Sequence, residues 1–118
     1  MNPYLTPQNH PRVKVVILKG FLKKKVDCLI DTGFSGGLAL PEFYQTQLKL
    51  KPLAFQELEL ADGSLVAFAV HKIRVQYKDS AKTVSLIFTK SEDALLGIEF
   101  LEGLKFVLDL KERKISLT

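Results

Sequence analysis

Apolar residues alternate with polar ones along most of this chain at a period of two, the spacing of strands with one buried face. Arg12 to Leu18 and Val26 to Ile30 are rich in Val, Ile and Leu, with Gly20 and Lys23-Lys24-Lys25 between them. The pair predicts a β-hairpin whose lysines sit near the bend, in water. Phe55 to Leu60 alternates apolar and acidic residues, Asp62-Gly63 signals a two-residue turn, and Ser64 to Tyr77 returns, so a second hairpin follows. Along the return strand the apolar phase is first Val66, Phe68, Val70 and then Ile73, Val75, Tyr77. One flat face cannot hold both sets, and a bulge, bend or change of sheet is expected near His71-Lys72. After a turn at Lys78-Asp79-Ser80, a strand from Lys82 to Thr89 carries Val84, Leu86 and Phe88 in register. The chain closes with Lys105 to Leu110, a charged turn at Lys111-Glu112-Arg113, and Ile115 to Leu117.

Helical spacing is brief. After a short strand from Leu38 to Leu40, Pro41 is placed to open a short helix through Leu48, with Glu42 in the first turn, where the positive end of the helix dipole favours an acid. A second helix is predicted from Ile98 to Leu104, stopped near Gly103. Pro3, Pro7 and Pro11 disfavour helix and ladder pairing alike. Residues 1–11 therefore read as an extended arm, either packed on a partner subunit or loose, and residues 12–118 as one domain. The predicted fold class is mostly β, with one or two short helices.

With 118 residues and 47% hydrophobic content, the chain can bury one core but not two. Its formal net charge of +4 comes from 17 basic residues spread among 13 acidic ones. Lysine and arginine are not gathered with stacking aromatics, so nucleic acid is not an expected partner. The lysine run reads as a solvated turn or edge that resists aggregation, rather than a polyanion site. No apolar run, Val15 to Leu18 included, approaches the length of a membrane span, and no membrane partner is expected. Cys28 is the sole cysteine and no export leader is apparent, which together point to a cytoplasmic location. Alternating with Val26 and Ile30, Cys28 reads as a small buried hydrophobe. His10 and His71 lack metal-ligand spacing with Cys28, so neither a metal nor another cofactor is expected.

Two stretches remain that carry chemistry: Leu29-Ile30-Asp31-Thr32-Gly33, and much later Ala94-Leu95-Leu96-Gly97. A bare Asp-Thr-Gly often marks only a polar turn after a strand. Here a strand-like run delivers Asp31 at its tip, and an apolar pair ending in glycine follows several strands later. The run Asp31-Thr32-Gly33-Phe34-Ser35-Gly36-Gly37-Leu38-Ala39-Leu40-Pro41 resembles the small bacterial and archaeal members of the retropepsin-like aspartic peptidases. The similarity spans roughly Arg12 to Leu117.

That resemblance implies a single-lobed acid-protease fold, a closed or partly open β-barrel. It also implies a homodimer acting on a peptide or protein substrate. Peptide hydrolysis by water needs one group to take a proton and another to give one, and two carboxylates held close share a single proton. Since Asp-Thr-Gly occurs once, the pair would be Asp31 from each of two chains across a twofold axis. By resemblance, Thr32 would hydrogen-bond across that axis, and Gly33 would let the backbone approach the carboxylates in dihedrals closed to other residues. Leu95, Leu96 and Gly97 would support the loop from behind. The hairpin from Glu59 to Val66, with Ala61-Asp62-Gly63-Ser64 at its tip, would cover substrate, and Phe34 and Ser35 would line the groove. Phe34 matches the small bacterial and archaeal members but stands where retroviral enzymes carry alanine and pepsin-like enzymes a serine or threonine, which predicts activity at mildly acidic to neutral pH. The competing reading is a catalytically silent module with the same fold that dimerises or binds peptides.

Overall fold

The computed structural model describes residues 1–118, of which 54% lie in strands and 8% in helices. In chain order the elements are β1 (Tyr4–Leu5), β2 (Pro11–Lys19), β3 (Leu22–Ile30), β4 (Leu38–Pro41), α1 (Tyr44–Leu48), β5 (Ala54–Glu59) and β6 (Leu65–Tyr77). They continue with β7 (Ser80–Thr89), β8 (Ala94–Leu96), α2 (Ile98–Leu101), β9 (Phe106–Asp109) and β10 (Lys114–Leu117). The main sheet runs β1-β2-β3-β8-β4-β7-β6-β5, and a further pairing of β2 with β6 closes its six central strands into a barrel. β9 and β10 form a separate hairpin.

Alternation fills the barrel. Val13, Val15 and Ile17 of β2, Val26, Cys28 and Ile30 of β3, Ile73, Val75 and Tyr77 of β6, and Val84 and Leu86 of β7 all point inward and are buried. Each aliphatic side chain so buried contributes roughly 1.5–3 kcal/mol relative to exposure. β6 is one strand of 13 residues serving two sheets. Leu65–Val70 pairs with β5, and from His71 onward the strand pairs with β7, with β2 on its other edge at Arg74–Gln76. The handover falls at His71, where the apolar phase of the sequence switches. His71 itself is buried edge-on to Phe88, with ring centroids 5.1 Å apart.

Several local expectations are corrected. β3 starts at Leu22, earlier than expected, so Lys23, Lys24 and Lys25 lie within it, opposite Leu18, Ile17 and Val16, beside a bend made by Gly20-Phe21 and with Lys23 and Lys25 exposed as expected. Pro41 ends β4 opposite Thr89, and the Glu42 N–H donates to the Thr89 carbonyl at 2.9 Å. Ladder pairing thus outlasts the helix signal, so α1 begins at Tyr44 and has no acid in its first turn. The turn of the second hairpin centres on Ala61 and Asp62, not Asp62 and Gly63. Gly63 takes φ 84 and donates to the Leu60 carbonyl at 2.9 Å. A two-residue Asp-Gly turn would need positive φ at Asp62 as well, which Asp62 does not adopt.

The N-terminal prolines do not prevent a short pairing, in which Pro11 itself takes part. Tyr4 and Leu5 lie opposite Arg12 and Pro11, Tyr4 Oη donates to the Asp27 carboxylate, and Arg113 donates to Asn9 and Thr6. The segment is therefore tied to its own barrel. No helix is long and apolar enough to cross a membrane.

Candidate active site

β3 ends at Ile30 and delivers Asp31 just beyond the closed part of the barrel. β8 lies parallel to it, with Leu29 opposite Leu95 and Ile30 opposite Leu96, while β4 runs antiparallel on the other side of β8, with Leu38 opposite Leu96. Leu96 is fully buried and Leu95 half-buried. Hydrogen bonds from this crossing hold the loop from behind. The Asp31 N–H donates to the Leu96 carbonyl at 2.9 Å, the Gly97 N–H to Gly37 at 3.0 Å, and the Ile98 N–H to Phe34 at 2.8 Å.

Gly97 makes the crossing possible. A Cβ there would lie 2.6 Å from both the Phe34 ring and the Phe34 carbonyl oxygen, and closer still to the Gly36 carbonyl oxygen. No side chain fits among backbone atoms at that range. Gly33 differs from expectation, because its φ is outside the left-handed region and an added Cβ would meet only Asp31 Oδ1, at 3.3 Å. What Gly33 supplies is an N–H that donates to Asp31 Oδ1 at 2.9 Å, fixing one carboxylate oxygen and leaving the other free.

Asp31 is half-exposed, and Thr32 and Gly33 are exposed. Thr32 borders a shallow hollow of about 340 Å³ whose other walls include Ile98, Leu101, Leu104 and Phe106. Ile98, one of these walls, is 38% exposed. Phe34 and Ser35 line a second cavity, of about 320 Å³, together with Gln56 and Leu58 of β5. The body of the β5–β6 hairpin therefore stands across from Phe34 and Ser35. Its tip does not reach that cavity. At the tip, Ser64 donates to Asp62 Oδ1 from Oγ at 2.6 Å and from its N–H at 2.9 Å, which holds the Asp62 carboxyl below the usual carboxylate range.

Sequence reasoning missed the floor of the cavity. Glu99 Oε1 accepts from the Ser85 N–H at 2.7 Å and from Ser85 Oγ at 2.6 Å, and the Gly37 N–H donates to Ser85 Oγ at 3.3 Å. Lys72 Nζ lies 4.0 Å from the other oxygen of Glu99. The network ties α2 to β7 and to the glycines after the Asp31 loop. Its only trace in the sequence is a lone acid in an otherwise apolar helical turn and a lone serine between Val84 and Leu86. Burial pushes the Cys28 thiol up to about 12, which makes it a packing residue of β3. No three His, Cys, Asp or Glu side chains come together as a metal site would require.

A barrel of this topology, with an Asp-Thr-Gly loop at the tip of β3 braced by a crossing Leu-Leu-Gly strand, has the retropepsin-like fold. Among solved structures, the chain is similar to a retropepsin-like aspartic protease from Rickettsia conorii, with TM-score 0.72 and 20% identity over 99% of this chain and 88% of that one. It is also similar to EIAV protease complexed with the inhibitor HBY-793, with TM-score 0.65 and 18% identity over 87% of this chain and 97% of that one. A third likeness is to simian foamy virus protease, with TM-score 0.57 and 14% identity over 76% and 90% of the two chains. No protein-family model matches the sequence, and no curated protein is similar to it in sequence.

Proposed function

We propose that two copies of this chain form an aspartic endopeptidase, in which a water molecule is activated by the Asp31 carboxylates, one from each subunit. The support is the Asp31 loop itself. One carboxylate oxygen is fixed by the Gly33 N–H and the other is unengaged, on a loop braced by β8 at the surface of the barrel. A single such group cannot both take a proton from water and give one to the carbonyl oxygen; a symmetric pair sharing one proton can.

The surface beside the loop supports the pairing. Thr32, Ile98, Leu101, Leu104 and Phe106, with Glu102 as the one charged member, form a mainly apolar margin beside Asp31, where a twofold axis would bring identical residues together. Substrate would then lie between the Asp31 loops and the two β5–β6 hairpins. Phe34 and Ser35 would contact its side chains, and Ala61, Asp62, Gly63 and Ser64 would close over it as the hairpins bend.

The test is cleavage of a diverse peptide mixture between about pH 4 and 8. Wild type and Asp31→Asn are compared, with and without a statine-type inhibitor, and solution mass is measured on the same samples. Wild type should cut as a dimer, with inhibitor sensitivity, and Asp31→Asn should lose at least about a thousandfold in rate while keeping its fold. Cleavage surviving the substitution would assign the activity elsewhere. A proven dimer that cuts nothing would leave the silent peptide-binding module.

A further inference from the structure

The β2–β3 bend lies at the far end of β3 from Asp31, about 26 Å along the strand at 3.3 Å per residue. Phe21, at this bend, is fully exposed, and Leu22 beside it is 36% exposed. A large aromatic ring held wholly in water at the point of a hairpin has no role in the barrel's own packing. Around it the fold gathers charge that the sequence keeps apart. Lys19 Nζ donates to the carbonyls of Leu48 and Lys49, which brings the segment after α1 against the bend. Lys24 Nζ lies 5.7 Å from the ring centroid of Tyr44, and that ring stacks on Phe43, itself 59% exposed. Lys19, Lys23, Lys24, Lys25, Lys49 and Lys51 thus cluster at one end, with Glu42 as the sole acid in these two segments. They hold six of the 17 basic residues and one of the 13 acidic ones, leaving 11 bases and 12 acids elsewhere. The whole positive excess of the chain sits at the Phe21 end.

We infer that this end of the barrel is a docking surface for an anionic lipid bilayer, with Phe21 and Leu22 entering the headgroup boundary and the six lysines lying against the charged surface. Apolar tips ringed by lysine match an interface that is apolar below and anionic above. A strand of nucleic acid needs instead a groove with aromatic faces spaced for stacking; Phe21 projects at a point, and Phe43 and Tyr44 are stacked on each other. The sequence expectation of no membrane partner rested on the lack of a spanning segment, which a peripheral contact does not need. Docked this way, the Asp31 loop faces away from the lipid and stays open to substrate.

Vesicle flotation tests the inference without reference to peptidase activity. Wild type is mixed with phosphatidylcholine vesicles, with vesicles containing about 30% phosphatidylglycerol, and with a single-stranded oligonucleotide, at low and high salt. Binding should be confined to the anionic vesicles and weaken as salt rises. Phe21→Ser, which leaves the charge unchanged, should weaken it about tenfold. Lys23→Gln with Lys25→Gln, both exposed, should weaken it about twentyfold. Far-UV spectra and melting temperatures of the variants confirm that each is folded. Equal binding to neutral vesicles, no binding to either, or anionic binding indifferent to both variants would overturn the inference. Oligonucleotide binding at least as tight, and equally weakened by Phe21→Ser, would overturn it in favour of nucleic acid.

Discussion

Adding one methyl group at Gly97 should unseat the Asp31 loop. The new Cβ would sit 2.6 Å from the Phe34 ring and from the Phe34 carbonyl oxygen, with the Gly36 carbonyl oxygen nearer still. Two of these three neighbours are backbone, so rotating a side chain cannot clear the space. Overpacking of this kind costs about 1–3 kcal/mol. If the strands part to admit the methyl, the Gly97 N–H to Gly37 and Ile98 N–H to Phe34 bonds lengthen, at about 1 kcal/mol or more each. The expected loss is about 3–5 kcal/mol, a large part of the roughly 5–15 kcal/mol available to a domain. Gly103→Ala is the control. Its Cβ would meet nothing within 4 Å, and its φ of 81 alone should cost about 1–2 kcal/mol. Denaturant unfolding of both variants at one fixed protein concentration gives the comparison, since the stability of the proposed dimer would depend on concentration. Gly97→Ala should lose more than Gly103→Ala, and adding Phe34→Ala should not restore it, because the carbonyl contacts remain. A loss below about 1 kcal/mol, or full rescue by Phe34→Ala, would refute the crowding argument.

Ile98→Glu places a charge in the apolar margin beside Thr32, and should shift sedimentation from dimer to monomer while leaving the melting curve of the barrel in place. An unchanged dimer would move the seam elsewhere. Glu99→Ala removes the acceptor of both Ser85 donors and should cost about 2–3 kcal/mol by denaturation. Glu99→Gln keeps an acceptor oxygen and should cost less than half as much, so equal losses would contradict the network. Because burial pushes the Cys28 thiol up to about 12, thiolate at pH 8 is suppressed on the order of a thousandfold, and alkylation should wait on unfolding. The sign for stability follows: between about pH 9 and 12 the unfolded chain has released this proton and the folded one has not. Stability should therefore fall as pH rises through that window, and less steeply in Cys28→Ala. Rapid alkylation of the native protein would contradict the burial.

Much of the barrel was legible in the sequence because alternation is a local property. Val13, Val15 and Ile17, or Val84 and Leu86, declare their inward face by position alone. The phase switch near His71 announced a bulge, bend or change of sheet for the same reason, and the Asp31 and Leu96-Gly97 stretches were recognisable as short motifs. Turn and helix ends were less legible. Whether Pro41 opens a helix or closes a strand depends on the Thr89 carbonyl beyond it, and whether Asp62 or Ala61 leads a turn depends on the register of β5 against β6.

What the sequence determined by itself, then, was the strand pattern, the buried set and the acidic loop, since each is carried by residues a few positions apart. Only the tertiary structure decided what meets across the chain. It seated Gly97 between Phe34 and Gly36, hydrogen-bonded Glu99 to Ser85, and closed β2 onto β6. It also drew Lys19 against Leu48 and left Phe21 standing in water. Such contacts depend on strand order and shear, which many sequences with the same alternation would satisfy differently.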